Sequence, residues 1–166
     1  MIERTKINDV ELVSFGNESK AERKLLKQFV NYHWEHYKDE PQYIPLLDYE
    51  YLGFKLIGIT GFFEPKNLFF KHATMRFFMV LRNGEAIGRC NAFANYRHNE
   101  RWEDKVGFFG QFECIEDERI AKILIDAAMR AGRKTETRIL LQDIVSIGFE
   151  RVTERSLYVD AAAFAA

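Results

Sequence analysis

Residues 105–131, KVGFFGQFECIEDERIAKILIDAAMRA, decide how the rest of the chain is read. Val106, Phe108, Gly110 and Phe112 alternate with Gly107, Phe109, Gln111 and Glu113. That period is a strand's, with aromatics on both faces and glycines where something must approach closely. Cys114 to Glu116 form a short junction, and Asp117 opens a helix. Ile120, Ile123, Leu124, Ala127 and Ala128 then recur at helical spacing and mark its buried stripe. Glu116, Asp117 and Glu118 crowd the helix start, and Arg130, Arg133 and Lys134 follow its end, as the helix dipole favours. A strand that feeds directly into a helix leaves the first N–H groups of that helix free, an arrangement suited to phosphate.

Upstream, Thr74 to Arg82 (TMRFFMVLR) reads as a central strand, apolar on both faces. Asn83-Gly84 follows, and a type I′ turn needs positive φ at both of its central residues. The returning strand, Ala86 to Tyr96, has one small face (Ala86, Gly88, Cys90, Ala92, Ala94) and one mixed face. A polar loop is expected from Arg97 to Asp104. Three successive antiparallel strands with a helix behind them imply an α/β or α+β fold around a mainly antiparallel sheet.

Nearer the start, Val10 to Phe15 forms an opening strand, and Ser19 with Glu22 makes a capping box. The helix behind it carries Leu25, Leu26, Phe29, Val30, His33 and Tyr37 on one side and ends before Pro41. Asp39 to Pro45 is extended, and the glycines at 53, 58 and 61 argue against one long helix from Leu46 to Ile59. Residues 138–147 (RILLQDIVSI) suit a helix slightly better than a strand.

At 166 residues the chain fits one domain, expected over 1–160 with a frayed tail at 161–166. Its 47% hydrophobic and 30% charged residues argue against disorder. The 15 Phe and 7 Tyr imply a core built on aromatic packing. A net charge of -1 offers no global field toward nucleic acid or anionic membrane, and no apolar run approaches spanning length. Cys90 and Cys114 lack metal-ligand spacing and are too few for a disulfide framework, which suits reduced thiols in the cytoplasm.

The blocks YKDEPQYIPLL (37–47), FFKHATMRFFMVLRNGEAIGR (69–89), NYRHNE (95–100) and KVGFFGQFECIED (105–117) together resemble the GNAT superfamily of N-acetyltransferases. The likeness is to a branch of uncharacterised acetyltransferase-like proteins, and it covers about Tyr37 to Ala128. It implies a GNAT-like α/β fold, a mainly antiparallel mixed sheet flanked by helices. It also implies acetyl-CoA, or another acyl-CoA, as co-substrate, with no metal. The acceptor would be a small-molecule or peptide amine, attacked directly, with a homodimer left open. Strand Val106 to Glu113 would hold the pantetheine arm. Phe112, Glu113, Cys114, Ile115, Asp117, Glu118, Arg119 and Ile120 would bind the cofactor, the pyrophosphate resting on backbone N–H groups. Where the superfamily carries glycines at that helix start, this chain has Ile115-Glu116-Asp117-Glu118-Arg119-Ile120, three carboxylates with Arg119 the one cation nearby. Gly148 to Val152 and Ser156 to Val159 resemble the closing strands of the superfamily, but Ile144 stands where its tyrosine general acid is frequent.

Glu113 is the candidate general base at the strand's end, set against a strand-end charge paired with a basic neighbour. His98 is the alternative base, set against a loop-fixing cluster with Asn99 and Glu100. His33 and His36 have metal-like spacing but no third ligand in view. Phe62, Phe63, Phe69, Phe70, Phe77 and Phe78 are core residues, or else the wall of an acceptor pocket. Beside the transferase stand two other expectations: a non-catalytic module on the same scaffold that binds a ligand or partner, and an inactive fragment of a longer transferase.

Overall fold

A computed structural model describes residues 1–141. Six strands lie in one sheet in chain order: β1 (Glu3–Ile7), β2 (Val10–Phe15), β3 (Ala73–Arg82), β4 (Glu85–Asn95), β5 (Val106–Cys114) and β6 (Arg138–Leu141). The first five pair antiparallel, and β6 joins β5 in parallel. Helix α1 (Lys20–His36) covers one face and α4 (Glu118–Lys134) the other. The short helices α2 (Asp48–Leu52) and α3 (Tyr96–Trp102) lie in connections. An α/β fold with a mainly antiparallel mixed sheet flanked by helices is therefore present. Among the described residues no helix is long and apolar enough to cross a membrane.

Side-chain alternation sorts the core into two halves. Val13, Phe15, Phe77, Met79 and Leu81 face α1, where Leu26, Phe29 and Val30 meet them. Leu12, Phe78, Val80, Cys90 and Ala92 face α4, where Ile120, Leu124, Ala127 and Ala128 close down. The sheet thus divides the expected phenylalanine cluster. Phe63 and Phe77 pack on the α1 side at 4.9 Å between ring centroids, and Phe78 lies on the other side. Phe62 is exposed, and Phe69 rests against Phe93 at the margin.

Local chemistry explains the helix ends. The Ser19 side chain accepts the Glu22 N–H, and Glu22 accepts the Ser19 N–H. Burial pushes the Glu22 carboxyl up, but bonds from the N-terminal ammonium, Ser19 and Gly16 outweigh it and hold it at about 2. Asn83 and Gly84 both take positive φ, 54° and 87°, as the hairpin requires. Helix α4 begins one residue later than expected, at Glu118, because Asp117 is its cap and accepts the Arg119 N–H.

Three expectations are corrected. The segment expected as a polar loop contains α3, because the Asn95 side chain caps it at the His98 N–H. Residues 138–141 form a strand where a helix suited the pattern better. A short apolar run is ambiguous by period, and here the crossover through α4 delivers it parallel to β5. The charged opening residues, for which the sequence pattern predicts no element, form edge strand β1. The end of the expected helix, the closing strands Gly148 to Val152 and Ser156 to Val159, Ile144 and the tail lie outside the described residues.

Candidate functional site

The β4–β5 register brings Arg89 opposite Glu113. Arg89 is 3% exposed and donates from Nε to Glu113 Oε2 at 2.7 Å. Its Nη1 donates to the Phe29 and Val30 carbonyls of α1, and its guanidinium lies 5.0 Å from the Phe29 ring centre. Three acceptors and an aromatic face thus replace the water this cation gives up. Glu113 is mostly buried, and its Oε1 carries no hydrogen bond among the described residues.

Around this pair stand tyrosines and histidines from three segments. Tyr32 and His36 come from α1, Tyr37 from its end, Tyr43 from the extended run and Tyr51 from α2. Tyr32 Oη and His36 Nδ1 are 3.2 Å apart, Tyr43 Oη and His33 Nδ1 are 3.0 Å apart, and Tyr37 stacks on Tyr43 at 4.0 Å. Burial raises all four hydroxyls, and the Glu113 charge adds to it; Tyr37 is pushed up to about 12. Burial lowers both imidazoles, with the Arg89 charge acting in the same direction and the Glu113 charge opposing it. Near neutral pH the cluster therefore holds protonated phenols and neutral imidazoles. His36 can accept a proton and the phenols can donate hydrogen bonds.

Next to Glu113, β5 is bulged. Its register to β4 slips between Arg89 and Asn91, and Gln111 takes a positive φ of 49°. Asn91 donates from Nδ2 to Gln111 Oε1 at 2.7 Å, while its buried Oδ1 has no hydrogen-bond partner among the described residues. On its other border β5 pairs with β6 from Val106 to Phe109, and no described residue pairs with Gly110 to Cys114 there.

The junction into α4 is partly self-satisfied. Ile115 N–H donates to Ile87 O, Asp117 N–H to Ile115 O, and Ile120 N–H to Asp117 O. With Arg119 N–H on the Asp117 carboxylate, the Glu116 and Glu118 amides remain without an acceptor among the described residues. Arg119 is not the one cation nearby. Its Nη1 lies 2.8 Å from Asp9, and Arg82 of β3 reaches both Asp9, at 3.0 Å, and Asp117, at 3.8 Å. The bond from Arg119 also lowers the Asp9 carboxyl. Phe112, Cys114, Ile115 and Ile120 pack against the α4-side core.

His98 stands elsewhere. Its Nε2 is 3.5 Å from Asp104 and its ring meets Phe108 edge-on, near the start of β5. Phe108 and Glu113 are separated by roughly 17 Å of extended strand. The two candidate bases therefore do not share a site. Asn99 clamps both the N–H and the C=O of Val106, and Glu100 is exposed. His33 and His36 bond tyrosines, and among the described residues no group of three or more His, Cys, Asp or Glu is placed to hold a metal. Sequence reasoning missed Arg89, Tyr32, Tyr43, Tyr51 and Asn91. Arg89 alone carried a signal, a charge on an otherwise half-apolar inner strand.

Among curated proteins, "Protein YghO" of Escherichia coli (strain K12) is 27% identical over 103 residues, 62% of this chain. The match spans 24% of that protein, so the chain covers about a quarter of the relative's length. No protein-family model matches the chain. No solved structure matches it either.

Proposed function

We propose that this chain is a GNAT-like domain that transfers an acyl group from acetyl-CoA, or another acyl-CoA, directly to an amine. One observation carries the proposal. β5 pairs with β4 to its tip and passes through a short junction into α4, where the Glu116 and Glu118 amides have no acceptor among the described residues. The peptide groups of Gly110 to Cys114 would offer a ladder to an amide-bearing arm, and those two amides would take its phosphates.

The acceptor amine, small-molecule or peptide, enters over the tyrosine and histidine cluster on the α1 face. Its nitrogen attacks the thioester carbonyl, the new C–N bond forms as the C–S bond breaks, and the thiol leaves. Glu113 Oε1, or neutral His36, takes the proton from the amine. Tyr32 and Tyr43 hydroxyls orient it, and positioning supplies most of the acceleration. The two free thiols fit a reducing, cytoplasmic setting.

A second arrangement has its own support: the same scaffold as a non-catalytic binding module. Asp117 occupies the helix start where phosphate would sit, and Asp9 engages the nearest arginines. Thermal denaturation with acetyl-CoA and longer acyl-CoAs separates the two. Ligand at 100 times its dissociation constant adds about 2.7 kcal/mol. A transferase also releases free thiol when an amine panel is added. Absence of any acyl-CoA shift would overturn the transferase and leave the module.

A further inference from the structure

On the α4 face, across the sheet from Arg89 and Glu113, lies a cavity of about 260 Å³. Its origin is steric. Ala92 and Ala94 of β4 and Ala127 and Ala131 of α4 are all small, so the helix settles close over β4. The ends of β1, β2 and β3 beside it are left without cover from α4. The floor is apolar, with Leu12, Phe78, Ala92, Ala131 and Ile139.

The mouth carries charge of mostly one sign. Arg76, Arg130 and Lys134 line it, with Glu3 as its carboxylate. Arg76 Nη2 donates to Ser14 Oγ at 3.0 Å and lies 3.6 Å from Glu3 Oε1. Lys134 Nζ is 3.7 Å from the same Glu3 oxygen. Arg130 has no ion-pair partner among the described residues. Among the described residues one half-exposed carboxylate is thus shared by two cations while a third has none, and Arg76 is held in place by its own wall.

We infer that this cavity binds an amphipathic anion, an apolar body of roughly eight to ten carbons bearing a carboxylate or phosphate head. The apolar floor takes the body, although the lining also holds the hydroxyls of Thr5, Ser14, Thr74 and Thr135. The rim takes the head, with Arg76 able to bond it in a forked geometry and Arg130 and Lys134 supplying charge. A cationic head would meet three like charges, and a neutral one would leave their excess uncompensated. The site is separate from the acyl-transfer face and does not depend on it.

Calorimetric titration of the full chain with octanoate, decanoate, decyl phosphate, decanol and decyltrimethylammonium, below micelle formation, tests this. Decanoate should bind one to one, about fifteenfold tighter than octanoate because each of its two extra buried methylenes adds roughly fourfold. Decanol should bind at least tenfold more weakly, and the ammonium not at all. Decanoate against decyl phosphate identifies the head. Arg130→Gln should weaken decanoate about tenfold and Glu3→Gln should tighten it. Ala131→Met, which fills the floor, should abolish binding while its melting curve shows that it is folded. Saturable binding that ignores the head group, binding that survives Ala131→Met in the folded variant, or no saturable binding of either anion would each overturn the proposal.

Discussion

Arg89 and Glu113 face each other because β4 and β5 are in register there, and the fit is completed from outside the sheet by the carbonyls of Phe29 and Val30. Burying this pair costs hydration on both sides, so its two halves depend on each other far more than on the fold at large. Arg89→Met leaves a buried carboxylate without its cation. It should cost about 3–5 kcal/mol in urea denaturation at neutral pH. The double change Arg89→Met with Glu113→Gln should recover more than half of that loss, because no uncompensated charge remains. A single-variant cost below about 1 kcal/mol would show that the pair does not hold this face together. Glu113 could be singled out from strand parity alone, whereas its partner could not. The Asn83-Gly84 turn sets the β3–β4 register, but β4 and β5 are joined through α3, and no turn type fixes their alignment. Tyr32, Tyr43 and Tyr51 were hidden for a related reason: helix, extended run and α2 meet only in three dimensions.

Helix α4 was readable from its stripe, and the small face of β4 announced what it would rest on. Gly88 lies in close contact with both α4 and β5. A Cβ there would lie 2.8 Å from Cys114 Cβ, 3.0 Å from Leu124 Cδ1 and 3.2 Å from Ile120 Cγ2. Gly88 sits inside a ladder rather than at a turn, so Gly88→Ala acts through crowding. It should destabilise by about 1–3 kcal/mol, lowering the melting temperature by roughly 3–10 °C. An unchanged melting curve would mean that α4 shifts away freely and that the small face is not selected by contact. Elements with little buried surface were the illegible ones. β1 pairs with β2, but four of its five residues are exposed, so its hydrophobic pattern is nearly blank. α3 is a single capped polar stretch without a buried residue, and β6 is too short for period to separate strand from helix.

Across the whole molecule, the two thiols report on different depths of the same core. Cys90 is fully buried beneath α4, and burial pushes its thiol far up, so reagent reaches it only when the sheet and helix part. Cys114 is half-buried at the tip of β5, where burial and the Asp117 charge push its thiol up to about 11. Only the thiolate reacts, so at pH 8 Cys114 should label roughly two orders of magnitude more slowly than a free cysteine. Its rate should climb tenfold per pH unit until the pH nears that value. Cys90 should instead follow the unfolding equilibrium, rising with urea in step with the loss of structure. Under the acyl-transfer proposal, a cofactor arm lying along Gly110 to Cys114 covers the second thiol directly. Saturating acetyl-CoA should then suppress Cys114 labelling even at low urea, while slowing Cys90 only by as much as the ligand raises global stability. If acetyl-CoA stabilises the fold yet leaves Cys114 labelling untouched under native conditions, the cofactor lies somewhere other than the C-terminal half of β5.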